Sequence, residues 1–263
     1  MLGALAGDTI GSVHEFTGNT DPAFPLFTAR CCPTDDGLLT GAIAQGLLDG
    51  TDDFRPYLLG AVRRTQHIDA PMSPCWGSGF LNWALAGGQH DNDSFGNGAA
   101  MRVSPVGWAA RDEAEVLELA RLTAQPSHAH PEGIKGAQCT ALCVWVARTT
   151  RDPDAVRAAA RRFYPDLPDW DHIQRTHRFD ETCQGCVPTC ITLATECDDY
   201  EETIRAACSI RGDADTLAAI AGAIAHGLYG VPTDIRTETI ARTRPHYPWL
   251  IDTLVAFEAK HGG

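Results

Sequence analysis

The sequence predicts an all-α fold, and three observations carry that expectation. Apolar residues recur at helical spacing along most of the chain, and strict polar–apolar alternation is scarce. Segments of roughly 10 to 20 residues are set apart by Gly, Pro, Asp and Asn. The chain of 263 residues has no low-complexity linker, so one domain spanning 1–263 is expected. Its 44% apolar and 21% charged residues exclude disorder as the main state.

The elements follow in order. The first helix, Leu2–Glu15, carries Gly3, Gly7 and Gly11 at every fourth position. Each glycine costs a helix about 1 kcal/mol relative to alanine, so the ridge implies close approach of another backbone. Asp35–Asp49 begins on two acids behind Thr34, a helix-start signal. Periodicity and the breakers between segments then place helices at Phe54–His67, Gly77–Ala86, Ala99–Ala110, Glu113–Thr123 and Pro131–Thr149. Asp154–Phe163, Val187–Glu196 and Tyr200–Ser209 follow on the same grounds. Asp215–Tyr229 is small or apolar on every face through Leu217–Ala225, as in a helix at the middle of a bundle, so its N-terminal end should lie inside the protein. Pro232–Arg242 and a helix near the C-terminus complete the set.

A formal charge of −13 and a pI near 5.1 exclude extended nucleic-acid binding, which needs a concentrated field of Lys and Arg. The first residues lack a basic n-region and no apolar run approaches a membrane span, so a cytoplasmic protein without membrane contact is expected, as a monomer. The ten cysteines are read as reduced thiols. Cys183, Cys186 and Cys190 form C-x2-C-x3-C, a spacing open to zinc or an iron–sulfur cluster on one hand and to buried packing on the other.

Two acidic clusters stand at helix starts: Thr34-Asp35-Asp36, and Asp213-Ala214-Asp215-Thr216 after Arg211 and Gly212. Either cluster alone is accounted for by capping, because Thr and Asp are favoured N-caps and first-turn acids complement the helix dipole. Together, four carboxylates near the centre of one bundle would repel unless compensated. A divalent cation removes the conflict, and hard oxygen donors suit two Mg2+ or Mn2+ ions better than zinc. Ser94-Phe95-Gly96-Asn97-Gly98 leads into a helix. It is either a tight turn or a cradle of backbone N–H groups for a diphosphate, with Phe95 stacking on a base or plugging the core. His128 and His130 form a weak H-x-H before Pro131. Glu15 ends the glycine-ridged helix, whose close packing would carry it toward the acidic centre.

In order, GDTIGSVHEF (7–16), TDD (34–36), SFGNGAAMRVSPVGW (94–108), SHAHPEGIKGA (127–137), TCQGCVP (182–188) and GDADTLAAIAGAIAHGLYG (212–230) resemble the ADP-ribosylglycohydrolase family. The resemblance implies an all-α orthogonal bundle with a dinuclear magnesium or manganese centre. It matches Thr34, Asp35, Asp36, Asp213, Asp215 and Thr216 to the metal ligands, and Glu15 to a glutamate acting in metal binding or catalysis. Ser94, Phe95, Gly96, Asn97 and Gly98 match the diphosphate loop, and His128 matches a histidine of the ligand pocket. The chain departs from the family pattern at Gly37, where TDDT is usual, and at Arg211 and Ala214 in the GGD segment.

The implied reaction is hydrolysis at C1″ of an ADP-ribosylated protein, small molecule or nucleobase, releasing ADP-ribose, with Glu15 or Asp36 handling the water. The alternatives are a weakly active or inactive ADP-ribose-binding or partner-capping relative, and a thiol redox or cluster protein.

Overall fold

The computed structural model describes residues 1–72 and 74–262. The helices are α1 (Leu2–Gly11), α2 (Asp35–Asp49), α3 (Arg55–Thr65), α4 (Ser78–Leu85), α5 (Gly98–Met101), α6 (Ser104–Ala109), α7 (Glu113–Ala124) and α8 (Pro131–Thr150). They continue as α9 (Pro153–Ala160), α10 (Trp170–Thr176), α11 (Cys183–Glu196), α12 (Tyr200–Ala207), α13 (Ala214–Tyr229), α14 (Thr233–Thr243) and α15 (Pro248–His261). Extended pairing among the described residues is confined to one antiparallel bridge, Gly96 with Thr182.

Several boundaries differ from expectation for local reasons. The first helix stops at Gly11, and the chain turns through His14, whose N–H donates to the Gly11 carbonyl at 2.7 Å, so Glu15 sits beyond the helix. The segment expected as Ala99–Ala110 is two short helices, because Pro105 opens α6 at its first turn. The α11 helix begins at Cys183, four residues before the expected Val187, and holds Pro188 inside it. The α10 helix was not expected; its Asp169 side chain caps it by accepting from the His172 N–H at 2.7 Å.

The glycine ridge is matched by backbone, as its period implies. A Cβ on Gly3 would lie 2.5 Å from the Gly222 carbonyl oxygen, one on Gly7 2.0 Å from that of Ala218, and one on Gly11 2.6 Å from that of Ala214. Ascending numbers on α1 meet descending numbers on α13, so the two helices run antiparallel. The end of α1 is thereby set against the start of α13. The α13 helix is buried along nearly its whole length, as its composition predicts. One large apolar cluster holds Ile10, Leu39, Leu142, Ile191 and Ile220, and a second holds Leu5, Leu38, Tyr247 and Leu254. Both α1 and α2 contribute to each cluster, so the acidic start of α2 is anchored from two sides.

Candidate active site

The start of α2 meets the start of α13 beneath the end of α1. Other helices, the largely buried α11 among them, are capped by the residue that precedes them: the side chains of Asp112, Asp152, Thr182 and Asp199 each accept a backbone N–H of the following turn. Thr34 and Asp213 occupy the same position on α2 and α13, yet neither side chain caps its helix. Capping therefore does not account for the side chains of Thr34 and Asp213, although Asp35, Asp36 and Asp215 do stand in the first turns.

The α2 end is held instead by Asp8 from α1, a fully buried residue. Its carboxylate accepts from the Gly37 N–H at 2.9 Å, from the Thr34 N–H at 3.1 Å and from the Thr34 hydroxyl at 2.7 Å. Gly37 is explained by the same contact, because a Cβ there would lie 2.5 Å from Asp8 Oδ2 and 2.6 Å from Leu5 Cδ1. On the opposite limb the Thr216 hydroxyl donates to Asp36 Oδ2 at 3.4 Å, and Asp213 Oδ2 accepts from Asn97 Nδ2 at 2.7 Å. Asn97 thus ties the glycine loop to the acidic centre.

Among the described residues, two sets of carboxylates offer oxygens within 4.8 Å of one another: Asp8, Asp36 and Asp215, and Glu15, Asp213 and Asp215. Asp215 belongs to both. Asp35 lines the same cavity without joining either set, and Thr34 is engaged with Asp8. Burial first, and the neighbouring Asp215 second, push the carboxyls of Asp35, Asp36 and Asp213 well above the usual range. The same two causes push Asp8 and Glu15 each up to about 8. Asp36 Oδ1 and Glu15 Oε2 are buried with no hydrogen-bond partner among the described residues. Unpartnered oxygens, mutual repulsion and an all-oxygen donor set fit a hard divalent cation, and the acidic groups can hold one.

Ser94, Gly96, Asn97, Gly98 and His128 line the cavity with these acids. Two of the loop's N–H groups are engaged in holding its shape: Gly96 donates to Ser94 Oγ at 3.1 Å, and Asn97 to the Glu181 carbonyl at 2.7 Å. The α5 helix behind the loop is four residues long, too short for a large dipole. Phe95 is 45% exposed and meets His130 edge-on with ring centroids 5.3 Å apart. His130 itself caps α8 by accepting the Glu132 N–H, so the two histidines of H-x-H part company.

Sequence reasoning missed Asp8, Arg102 and Glu181. Asp8 left a signal, a single acid inside the otherwise apolar and glycine-ridged LGALAGDTIG. Arg102 and Glu181 left none. Arg211, expected beside the acids, is exposed and lines a separate cavity of about 590 Å³ with Trp170 and Arg205. Its φ of 61° explains why a glycine suits that position. Cys183, Cys186 and Cys190 are buried free thiols facing the core at helical spacing, and no cysteine enters a candidate metal group among the described residues. Burial raises all three thiols, which makes them poor ligands and nucleophiles.

Fold and cavity together define a class: an all-α protein with a carboxylate-centred, cation-competent site beside a glycine loop. The chain belongs to the ADP-ribosylglycohydrolase family, whose model matches residues 1–258. It is 28% identical over 308 residues to human ADP-ribosylhydrolase ARH3, covering 88% of this chain and 84% of that protein. The bovine ARH3 is 26% identical over the same length and coverage. ADP-ribosylarginine hydrolase Tri1 of Pseudomonas putida (strain GB-1) is 23% identical over 258 residues, 88% of this chain and 70% of that one. A solved structure described as an ADP-ribosylglycohydrolase-related protein complex superposes with a TM-score of 0.66 at 21% identity, covering 95% of each chain, which supports the fold.

Proposed function

We propose that this chain is a metal-dependent, single-domain hydrolase that cleaves the bond at C1″ of ADP-ribosylated substrates and releases ADP-ribose. The observation that carries the proposal is the meeting of Asp36, Asp213, Asp215 and Glu15 in one cavity, with neither N-cap residue of α2 or α13 spending its side chain on a cap. Family membership and the names of the relatives supply the substrate class.

Asp36, Asp213 and Asp215 would hold the ions, with Asp8, Asp35, Thr34 and Thr216 around them. Bound there, two Mg2+ or Mn2+ ions would supply Lewis acidity. The chain's own groups do the rest. Ser94, Gly96, Asn97, Gly98 and His128 hold the diphosphate end, which sets C1″ against the acids. Glu15, beside Asp213 and Asp215, takes the proton of the attacking water, with Asp36 as the alternative base. As the water oxygen bonds to C1″, the bond to the acceptor breaks and the acceptor leaves with a proton. Positive charge growing at C1″ is stabilised by the surrounding carboxylates.

The test is release of ADP-ribose from defined arginine, serine, nucleobase and O-acyl ADP-ribose substrates with Mg2+ or Mn2+. Asp215→Ala should abolish turnover, because this residue belongs to both carboxylate sets, and Asp35→Ala should weaken it. Turnover by Asp215→Ala at the parent rate would refute the mechanism. Tight ADP-ribose binding with no turnover of any linkage would instead leave a binding protein.

A further inference from the structure

One wall of the cavity carries a chain of hydrogen-bond donors. Arg102 follows α5 and its side chain is fully buried. Its Nη2 donates to the Thr123 carbonyl at 2.9 Å and to Ser127 Oγ at 2.8 Å. A guanidinium only donates, so Ser127 Oγ is the acceptor in that bond. The same oxygen, fully buried, lies 2.8 Å from His128 Nδ1. That nitrogen is where the serine proton finds an acceptor, and a buried hydroxyl left unpaired is unfavourable. Nδ1 therefore accepts, and the ring hydrogen resides on Nε2.

Nε2 faces the glycine loop. A Cβ built on Gly98 would lie 2.9 Å from it and one on Gly96 3.7 Å, so the imidazole edge fills the space that two side chains would need. Burial and the adjacent Arg102 charge hold His128 well below its ordinary pKa, so the ring is neutral and has one N–H. Arg102 also lines the cavity, and its Nε and Nη1 have no hydrogen-bond partner among the described residues. A buried guanidinium with two idle donors is a second, independent pointer to an anion at this wall.

We infer that Arg102 and Ser127 are positioning residues that lock His128 as its Nε2–H tautomer, so that it donates to a phosphate oxygen held at the Ser94–Gly98 loop. The inference rests on the reading of this cavity as an ADP-ribosyl site. It adds a donor for the diphosphate of such a ligand to a cavity whose carboxylates would hold the cations.

Imidazole 15N NMR of the free protein tests the tautomer directly. Nδ1 should show the unprotonated type of resonance and Nε2 the protonated type. Ser127→Ala should mix the tautomers and weaken ADP-ribose binding by roughly tenfold, the scale of one lost hydrogen bond, while adenosine binding stays unchanged. Ser127→Thr, which keeps the hydroxyl, should restore both signals. Thermal unfolding of each variant confirms folding, and Ser127→Ala, the milder change, serves where Arg102→Met does not fold. A parent protein with its ring hydrogen on Nδ1 overturns the inference, as does unchanged ADP-ribose affinity in Ser127→Ala. Inorganic pyrophosphate is titrated alongside. A cavity that takes pyrophosphate in a Ser127-dependent way but refuses ADP-ribose upholds the relay and overturns the substrate reading. A cavity that binds neither overturns the relay.

Discussion

Asp8 and Gly37 form a lock of one carboxylate and one absent side chain. Every partner of Asp8 in the lock is a donor, two backbone N–H groups and a hydroxyl, so the carboxylate orders the turn bearing Asp35 and Asp36. Asp8→Ala would leave those donors buried and unpaired, and should lower stability by about 1–3 kcal/mol in urea denaturation. Gly37→Ala keeps the acid but displaces it. Outer-sphere changes of this kind typically weaken metal binding about 10–100-fold, and titration of Mn2+ into Gly37→Ala should read a loss of that order. Parent-like Mn2+ affinity in Gly37→Ala would mean that Asp8 moves aside freely and does not set the limb. Gly37 stands in the sequence as a departure from the usual TDDT; in the fold it is the space that Asp8 occupies.

At the scale of elements, the contact of α1 with α13 delivers Glu15 to Asp213 and Asp215. Antiparallel packing at glycine distance is what sets the end of one helix against the start of the other. Gly7→Ala places a methyl 2.0 Å from the Ala218 carbonyl oxygen, so the helices must separate. Overpacking costs about 1–3 kcal/mol and outweighs the helix propensity gained, so denaturation should show net destabilisation together with weakened Mn2+ binding. Gly60 in α3 is the control, since a Cβ there meets nothing within 4 Å. Gly60→Ala should stabilise by about 0.5–1 kcal/mol. A Gly7→Ala protein as stable as Gly60→Ala would show that the ridge is not a packing constraint.

Over the whole molecule, the acidic centre should make stability depend on pH, and on cations if the proposed metal role holds. Asp8 and Glu15 sit at about 8, above ordinary values of 3.8 and 4.5. For groups raised this way the stabilising contribution is complete below the ordinary value and is lost as pH climbs toward about 8. A bound divalent cation favours the ionised form and reverses the loss. The gain in Tm on adding Mn2+ to chelator-treated protein should therefore grow between about pH 5 and pH 8, with protons released on binding in titration calorimetry. An equal gain at both ends of that range would show that these carboxyls are not coupled to the cation. No helix among the described residues is long and apolar enough to cross a membrane.

The all-α class, most helix positions, the glycine ridge and both acidic clusters were legible in the sequence, because helical period and close backbone packing are imposed locally by residue type. The family resemblance followed from the same stretches. Tertiary structure alone decided where those clusters meet and what their side chains touch. Whether Thr34 and Asp213 cap their helices or bond elsewhere depends on which neighbour reaches the helix end, and Asp8 and Asn97 come from distant segments. For the same reason Arg102 and Ser127 could not be seen as a relay, nor Arg211 as lying outside the acidic cavity. Local sequence records which donors and acceptors a chain owns, while their pairing is fixed only when distant backbones meet.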